Sequence, residues 1–390
     1  MTAVKGQASP LSCLLEEERL FQREVQKFAK EQLEPLVKTM DDTALLPRPL
    51  LEQLFSLGLM GIEIPTDRGG GGGSFFMSML AIEALSRVDP AVAVVVHVQN
   101  ILVNKTLLRW GNPAQRERWL PALAAGTVAA YALSESTAGS DAFSLTTRAR
   151  RQGDTYLLSG RKQWITNAAE AGLFLLFANT EPEKGARGIT AFLIEPSAAG
   201  FQVGKREDKL GIRASSTCEL LLDEVPVPAE CVLGKPGMGM EIVSDGLAKG
   251  RIGIAAQMVG LAQAALDAAV SYAQQRRQFG QSIAGFQGVR FPLAEVAARI
   301  EAARLLTYNA ARLQDAGTPY FKLLGPAAMA KYLASQVAEQ SASLAVDIFG
   351  GCGFSREYPV EKLYRDAKIG KIYEGTSNMQ LLTIASTLMD

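Results

Sequence analysis

Apolar residues near the start of the chain recur at helical spacing. Leu14, Phe21, Val25 and Phe28 are separated by seven, four and three positions, which places them on one face of a helix. Comparable patterns continue to about residue 126, separated by glycine, proline and Asp-Pro or Asn-Pro pairs. The pattern predicts an N-terminal helical domain, 1–127, with further helices over 50–57, 75–85, 91–110 and 113–123.

Between about residues 128 and 234 the apolar period falls to two and turn residues become frequent. The runs on either side of Gly153 predict a hairpin over 149–158, and the apolar runs 173–178 and 189–194 have the length of strands. Pro226 and Pro228 are expected to end the sheet, because proline cannot donate a hydrogen bond to a neighbouring strand. We therefore predict a middle β domain, 128–236.

Long helical patterns return over 252–275, 293–313 and 329–349. Glycine and other turn residues separate them and define a C-terminal helical domain, 237–390. The order helical, β, helical predicts an α+β protein whose two helical domains pack on each other.

The charge balance and the single histidine narrow the possible functions. The 390 residues include 40 basic and 40 acidic side chains, so no basic surplus favours nucleic acid or an anionic membrane as a partner. His97 is the only histidine, which excludes multi-histidine metal centres and restricts any Ser-His-Asp triad to that residue. Chemistry is expected from carboxylates, amides, hydroxyls or a bound cofactor.

The four cysteines are scattered and form no CxxC pair, so free thiols are expected rather than disulfides or a metal site. The N-terminal segment has neither an apolar signal core nor an arginine-rich amphipathic pattern. The longest apolar run, 91–98, is too short to span a bilayer. These observations predict a cytoplasmic protein without a membrane span.

Five sequence features are candidates for function. The glycine run 69–73 lies between predicted helices and lacks the Lys-Ser/Thr of a phosphate-binding loop, so we interpret it as a flexible connector. The other four are the hydroxyl-rich loop 131–141, the segment 162–167 with Trp164 beside Thr166, the basic segment 276–280, and 373–378 with Glu374 before a glycine. Each alone is equally compatible with an ordinary structural role.

Taken together and in order, these four segments resemble the acyl-CoA dehydrogenases, as do Gly350-Gly-Cys-Gly-Phe354 and Tyr358-Pro-Val-Glu-Lys362. The resemblance covers about residues 15–388 and is closest to the short/branched-chain (2-methylbutyryl-CoA) subgroup. It implies an N-terminal helical domain, a β-barrel-like middle domain and a C-terminal four-helix bundle. It also implies a homotetramer that binds FAD between the middle domain and the C-terminal helices.

The resemblance also assigns roles to individual residues. Glu374 would be the catalytic base. Contacts with FAD are implied for Tyr131, Leu133, Ser134, Ser140, Trp164, Ile165, Thr166, Arg276, Phe279, Gln287, Asp347, Gly350, Gly351, Thr376 and Asn378. Of these, Arg276, Phe279, Gln287 and the segment 347–351 would reach the FAD of a neighbouring subunit. Contacts with the acyl-CoA substrate are implied for Ser140, Ala248, Lys249, Gly250, Arg251 and Gly375.

The implied reaction is the FAD-dependent α,β-dehydrogenation of short or branched-chain acyl-CoA to 2-enoyl-CoA, with electrons passing to an electron-transfer flavoprotein. Glu374 would take the α-proton while a hydride passes to the flavin N5. Some relatives carry their base at the place of Gly250, and the glycine here leaves Glu374 as the base. His97 is interpreted as a buried core or cleft residue rather than a catalytic one.

Two alternatives remain open at this stage. The first keeps the chemistry but changes the carrier or the acceptor: an acyl-carrier-protein-linked dehydrogenase from a biosynthetic pathway, or an oxidase. Met240 and Ala186 replace tyrosines that the resemblance places near the substrate, and they would support a changed thioester carrier. The second alternative is a catalytically idle relative kept as an assembly partner, and the presence of Glu374 argues against it. Asp347 stands where glutamine is common, so an anion there is unexpected next to a pyrophosphate.

Overall fold

The computed structural model describes residues 10–389, and helices form the first part of the chain. Proline or an Asn, Asp or Ser cap precedes several of these helices, as expected for helix starts. The helices are α1 (Glu16–Phe28), α2 (Val37–Thr43), α3 (Arg48–Ser56), α4 (Phe75–Ser86), α5 (Pro90–His97), α6 (Lys105–Trp110) and α7 (Pro113–Ala125).

A π-helix, Val98–Asn104, joins α5 to α6, so that residues 90–110 form one continuous helical stretch, as the sequence predicted. All seven residues of the π-helix are buried. Segments of π-helix are rare and frequently occur at functional sites.

The middle of the chain forms an eight-stranded sheet. Its strands are β1 (Val128–Ala132), β2 (Arg148–Gln152), β3 (Thr155–Thr166), β4 (Ala171–Asn179), β5 (Ile189–Ile194), β6 (Phe201–Arg206), β7 (Thr217–Pro228) and β8 (Val232–Leu233). The strand order is β6-β7-β3-β2-β4-β5-β8, and β1 pairs with β4 in parallel. Alternate residues of β4 enter two different cores: Leu175 faces the N-terminal helices, whereas Phe174 faces the far side of the sheet.

Two expectations for the loops and strands were wrong. Strand β7 continues through both prolines, and Pro226 pairs with Leu157 and Pro228 with Thr155. This is possible because β6 pairs only with the first part of β7, so the segment with the prolines is an edge where their missing N–H groups are not needed.

The glycine run 69–73 is an ordered loop rather than a flexible connector. Its backbone N–H groups donate to carbonyl groups of residues 61–66, with Gly70 bonded to Pro65 and Gly71 to Gly61. A Cβ at Gly70 would lie 2.2 Å from the carbonyl oxygen of Ile64. The glycines are therefore needed for close packing of two backbone segments.

The C-terminal part begins with the 37-residue helix α8 (Gly239–Gln275) and the short strand pair β9 (Arg277–Gln278) and β10 (Gln281–Ser282). Helices α9 (Gln287–Asp315), α10 (Tyr320–Phe349), α11 (Val360–Ala367) and α12 (Ser377–Met389) follow. Helix α10 packs against α8, α9 and α12, and small residues such as Ala255, Ala334 and Ala338 fill the contact.

Two helical stretches, Pro90–Trp110 and Gly239–Gln275, are long and apolar enough to cross a membrane by length and composition alone. The most apolar 18-residue segment of the first stretch is 89% buried inside the protein, and that of the second is 72% buried. They are accordingly core helices of this fold.

Candidate active site

A cleft of about 670 Å³ is lined by all three parts of the chain, which is within the usual size of a small-molecule site. Apolar side chains from α5, the π-helix and α8 form one part of its lining: Val94, Val98, Leu102 and Leu247. Charged side chains form another part: Glu207, Asp208, Lys209, Arg365 and Lys368. The lining thus suits a ligand with both an apolar and a charged portion.

Glu374 lies in the loop before α12 in an uncommon backbone conformation. Its φ angle is 51° and that of Gly375 is 90°. A non-glycine residue in this region costs about 1–3 kcal/mol and requires support from its surroundings. Lys331 Nζ and Gln380 Nε2 supply it by donating to the carbonyl oxygen of Gly375, at 2.6 and 2.8 Å, and Gln380 also donates to that of Glu374.

The carboxylate of Glu374 is 9% exposed and has one oxygen without a partner. Oε1 lies 2.5 Å from Nε2 of His97. Oε2 has no hydrogen-bond partner among the described residues and lies against Gly250, where a Cβ would come within 1.8 Å of it. A nearly buried carboxylate that lines a cleft and keeps one oxygen free is suited to act as a general base.

Two buried cations and a buried phenol are the electrostatic neighbours of this carboxylate. Burial lowers the pKa of Lys331 from 10.5 to about 8, although the charge of Glu374 opposes the shift. Burial also lowers the pKa of Arg251, although the charge of Glu374 again opposes the shift. Burial and the charges of Glu374 and Asp245 raise the pKa of Tyr131 well above 10, so its hydroxyl stays neutral.

A bulge in β3 turns Trp164 into the cleft. The pairing register between β3 and β7 shifts between Lys162 and Ile165, and Trp164 has a φ angle of 65°. Bulges of this kind redirect a side chain out of the regular alternation. Trp164 is 56% exposed although it lies in a sheet, so its ring offers a flat apolar surface to a ligand.

A buried ion pair holds the loop between β1 and β2 on the sheet. Lys162 Nζ lies 2.8 Å from Glu135 Oε1 and donates to the carbonyl oxygen of Leu133. Glu135 also accepts hydrogen bonds from Thr146 and Thr147. The loop that carries Ser134, Ser136 and Ser140 is thereby fixed along one side of the cleft.

In one cleft, the structure brings together most of the predicted site residues that would not serve a neighbouring subunit. The lining of the cleft includes Tyr131, Leu133, Ser134, Ser140, Trp164, Ile165, Thr166, Glu374, Gly375 and Thr376. Asn378 is exposed on α12 and is not part of the lining, and neither Met240 nor Ala186 is.

Of the four predicted substrate contacts on α8, Gly250 lies against the carboxylate of Glu374. Ala248, Lys249 and Arg251 are not part of the cleft lining; Ala248 and Lys249 are buried in the packing of the helix, and Arg251 is half-buried. Lys249 Nζ lies 2.6 Å from Asp245, and Arg251 donates to Thr383. The residue of α8 that does face the cleft is Leu247.

The remaining predicted cofactor contacts form an exposed patch at one end of the C-terminal helices, outside this cleft. Here α8 and α10 end and α9 begins, and Tyr272 stacks on Phe349 with ring centroids 4.0 Å apart. Phe279 is 94% exposed. The predicted residues of the patch are Arg276, Phe279, Gln287, Asp347, Gly350 and Gly351.

Sequence reasoning missed the residues that support Glu374. His97, Lys331 and Gln380 come from three different helices, and His97 is 277 positions away from Glu374 in the chain. No local pattern signals such contacts. The one usable signal was that a single histidine occurs in an otherwise apolar helix.

Comparison with known proteins gives a consistent result. The N-terminal, middle and C-terminal domain families of acyl-CoA dehydrogenase match residues 15–127, 130–225 and 237–389. The chain is 52% identical to a probable short/branched chain specific acyl-CoA dehydrogenase of Dictyostelium discoideum, over 99% of this chain and 93% of that one. It is 49% identical to the mitochondrial short/branched chain specific enzyme of Rattus norvegicus, over 97% and 87%.

Among solved structures, butyryl-CoA dehydrogenase of Megasphaera elsdenii has a TM-score of 0.94 and 41% sequence identity. The match covers 97% of this chain and 99% of that chain. The fold predicted from the sequence, with two helical domains around a β domain, is confirmed by this similarity.

Proposed function

The chain belongs to the acyl-CoA dehydrogenase family, and from that premise we propose that it converts short or branched-chain acyl-CoA thioesters to 2-enoyl-CoA with Glu374 as the base. The observation that carries the proposal is the nearly buried Glu374 carboxylate, which lines the cleft with one oxygen free. The enzyme is an FAD-dependent oxidoreductase, as the family is.

The residues around the cleft fit a flavin. The exposed ring of Trp164 provides a flat surface, and Tyr131 has a buried hydroxyl without a partner among the described residues. The hydroxyls of Ser134 and Thr166 line the same cleft and can bond to the polar edge of a ring system. When bound, FAD accepts the hydrogen that leaves the β-carbon as a hydride.

The residues of the chain supply the rest of the reaction. Glu374 removes the proton from the α-carbon, which places negative charge on the thioester oxygen. Among the described residues, the backbone N–H of Glu374 donates to no backbone carbonyl group. It is therefore free to donate a hydrogen bond to the thioester oxygen. The apolar side chains Val94, Val98, Leu102 and Leu247 exclude water around the acyl chain.

Partners and location are part of the same proposal. The exposed patch around Arg276 and Phe279 supports a homotetramer in which it meets FAD bound to a neighbouring subunit. An electron-transfer flavoprotein is the acceptor expected from the family. A cytoplasmic location is supported by the four cysteines, all of them free thiols. The equal numbers of basic and acidic side chains do not favour an anionic membrane as a partner.

Anaerobic titration with acyl thioesters tests the function. Isobutyryl-, 2-methylbutyryl- and butyryl-CoA are expected to bleach the flavin absorbance of the wild-type protein fastest. Glu374→Gln should retain FAD and lose bleaching, because an amide cannot accept the α-proton. Bleaching of the Glu374→Gln protein at the wild-type rate would show that another group is the base.

The alternative carrier is tested in the same anaerobic titration, with acyl-carrier-protein thioesters in place of the CoA thioesters. The alternative acceptor is tested in a separate turnover assay that supplies either an electron-transfer flavoprotein or oxygen. Preference for the carrier protein, or turnover sustained by oxygen alone, would favour the biosynthetic dehydrogenase or the oxidase. A purified protein that is colourless and cannot take up FAD would favour the idle relative.

A further inference from the structure

The only histidine of the chain contacts the proposed base. His97 is fully buried at the end of α5, and its Nε2 lies 2.5 Å from Oε1 of Glu374. The neighbouring residues Val94 and Val98 line the cleft, whereas His97 itself does not. The imidazole therefore reaches the reaction only through the carboxylate of Glu374.

The surroundings of the ring determine which nitrogen carries the proton. Nδ1 has no hydrogen-bond partner among the described residues, and it faces Gly253 of α8. A Cβ at Gly253 would lie 2.2 Å from Nδ1, so the glycine makes room for the ring. A proton on Nδ1 would be a buried donor without an acceptor, which is unfavourable, whereas a proton on Nε2 is bonded to Glu374.

We propose that His97 is a positioning residue: its neutral imidazole donates from Nε2 to Oε1 of Glu374 and leaves Oε2 as the oxygen that receives the substrate's α-proton. This proposal rests on the proposed function of Glu374 as the base. His97 thereby prevents the carboxylate from rotating within the space left by Gly250.

None of the other charged and titratable groups that face Glu374 in the described part of the chain is hydrogen-bonded to its carboxylate. Arg251 and Lys331 act on it by charge, but Arg251 is bonded to Thr383 and Lys331 to the carbonyl oxygen of Gly375. Tyr131 has a hydroxyl without a partner, and the hydroxyl of Tyr373 donates to Gln257. Among the described residues, only His97 is hydrogen-bonded to the carboxylate.

Nitrogen NMR of the flavoprotein tests the protonation state without any turnover. Because the chain has a single histidine, ¹⁵N-histidine labelling gives one Nδ1 and one Nε2 signal. A protonated Nε2 and an unprotonated Nδ1 are expected in the flavoprotein before substrate is added, with the Nε2 signal shifted in Glu374→Gln. An imidazolium, or a proton on Nδ1, would overturn the proposal.

The kinetic test compares His97→Leu, His97→Gln and Gly253→Ala in flavin reduction by the best thioester. His97→Leu should lower kcat about tenfold or more, because the carboxylate is no longer held in one orientation. KM should change little, since the imidazole does not touch the substrate. His97→Gln, which keeps an N–H donor, should restore most of kcat.

Gly253→Ala leaves both side chains of the pair unchanged and displaces only the ring, so it should lower kcat as His97→Leu does, again with little change in KM. Asn104→Leu is the control, because it removes another buried polar side chain farther along the same helical stretch without touching Glu374. It should lower stability and leave kcat close to the wild-type value. An unchanged kcat in both His97→Leu and Gly253→Ala would overturn the proposal, while a wild-type protein that no acyl thioester bleaches would instead refute the proposed function.

Discussion

At the scale of single residues, the site depends on glycines that leave space for other groups as much as on the side chains that line it. Gly250 leaves the space that the Glu374 carboxylate occupies, because a Cβ there would lie 1.8 Å from Oε2. We expect Gly250→Ala to displace the carboxylate and lower kcat by about 100-fold or more, as loss of a positioned base typically does. FAD content should remain normal, and flavin reduction measured by stopped flow gives the rate.

The matched control for this variant is Gly246→Ala, one turn earlier in α8. A Cβ at Gly246 would meet its nearest atom at 3.5 Å, an ordinary contact. Both changes raise helix propensity equally. If Gly250→Ala reduced the flavin as fast as Gly246→Ala does, the position assigned to the base would be wrong.

The buried pair Lys162–Glu135 makes the stability of the β1–β2 loop depend on pH. Burial alone would raise the pKa of Glu135, but Lys162 and hydrogen bonds from Thr146 and Thr147 lower it from 4.5 to about 2. A carboxyl group with a lowered pKa stabilises the fold fully above about pH 4.5, and this stabilisation is lost as the pH falls towards 2. The wild-type protein should therefore resist mild acid.

Lys162→Met should make the protein least stable, relative to the wild type, at neutral pH. It leaves Glu135 buried without a cation, which typically costs about 3–5 kcal/mol in the free energy of unfolding. Because protonation of Glu135 relieves this penalty, the difference from the wild type in thermal unfolding and FAD release, followed from pH 7 to 4, should be largest at pH 7 and smaller at pH 4. Lys184→Met, which breaks the exposed Lys184–Glu181 pair, should behave like the wild type; equal behaviour of the two variants would contradict this account.

At this scale, sequence alone predicted residues that line the cleft but not the contacts that support them. Glu374, Trp164 and Ser134 were predictable as cleft residues because they occur within motifs that resemble a known family. The contact of His97 with Glu374 was not, because it depends on how α5, α8 and the loop before α12 pack. A buried histidine in an apolar helix is compatible with many partners, and only the packing selects one.

At the scale of elements, α10 fixes the loop that carries the base. Lys331 is buried within α10, and its Nζ donates to the carbonyl oxygen of Gly375 at 2.6 Å. We expect Lys331→Met to loosen this loop, so that Glu374 leaves its strained conformation part of the time and kcat falls about tenfold or more. The retained packing of α10 should keep the protein folded.

The measurement for Lys331→Met is single-turnover flavin reduction, with FAD content and thermal unfolding as checks on folding. Lys322→Met, an exposed lysine in the first turn of the same helix, is the control and should reduce the flavin at the wild-type rate. Wild-type kinetics in Lys331→Met would show that Gln380 alone holds the loop.

Elements with a strong periodic pattern were predictable, whereas those that depend on their neighbours were not. The hairpin around Gly153 and the strand Ile189–Ile194 follow from the local sequence. The continuation of β7 through Pro226 depends on the end of β6, and the ordered glycine loop depends on residues 61–66. In both cases the hydrogen bonds of a distant segment decide the local conformation.

At the scale of the whole molecule, one chain carries two sets of predicted FAD contacts in separate places. One set lines the cleft, and the other lies on the exposed patch with Arg276 and Phe279. Phe279 is 94% exposed, so its ring is open to a partner. In the proposed homotetramer, both sets could serve one cofactor.

Mixed oligomers of two inactive variants test this arrangement. Glu374→Gln removes the base but keeps the patch, and Arg276→Ala combined with Phe279→Ala weakens the patch but keeps the base. If the patch serves a neighbouring subunit, a cleft with an intact base can receive an intact patch from the Glu374→Gln chain. Mixed oligomers, prepared by co-expression with two different tags and tandem purification, should then bind FAD and reduce it faster than either parent.

The expected increase in activity is limited, because only some of the subunit interfaces in a random mixture combine an intact Glu374 with an intact patch. Activity should therefore rise with the share of Glu374→Gln chains, pass through a maximum and fall again, and mass photometry of the same samples gives the oligomeric state. If the patch acts within its own chain, no mixture can exceed the weighted mean of its parents. A plot of activity against composition therefore separates the two arrangements, since a maximum requires contacts across a subunit boundary and a straight line excludes them.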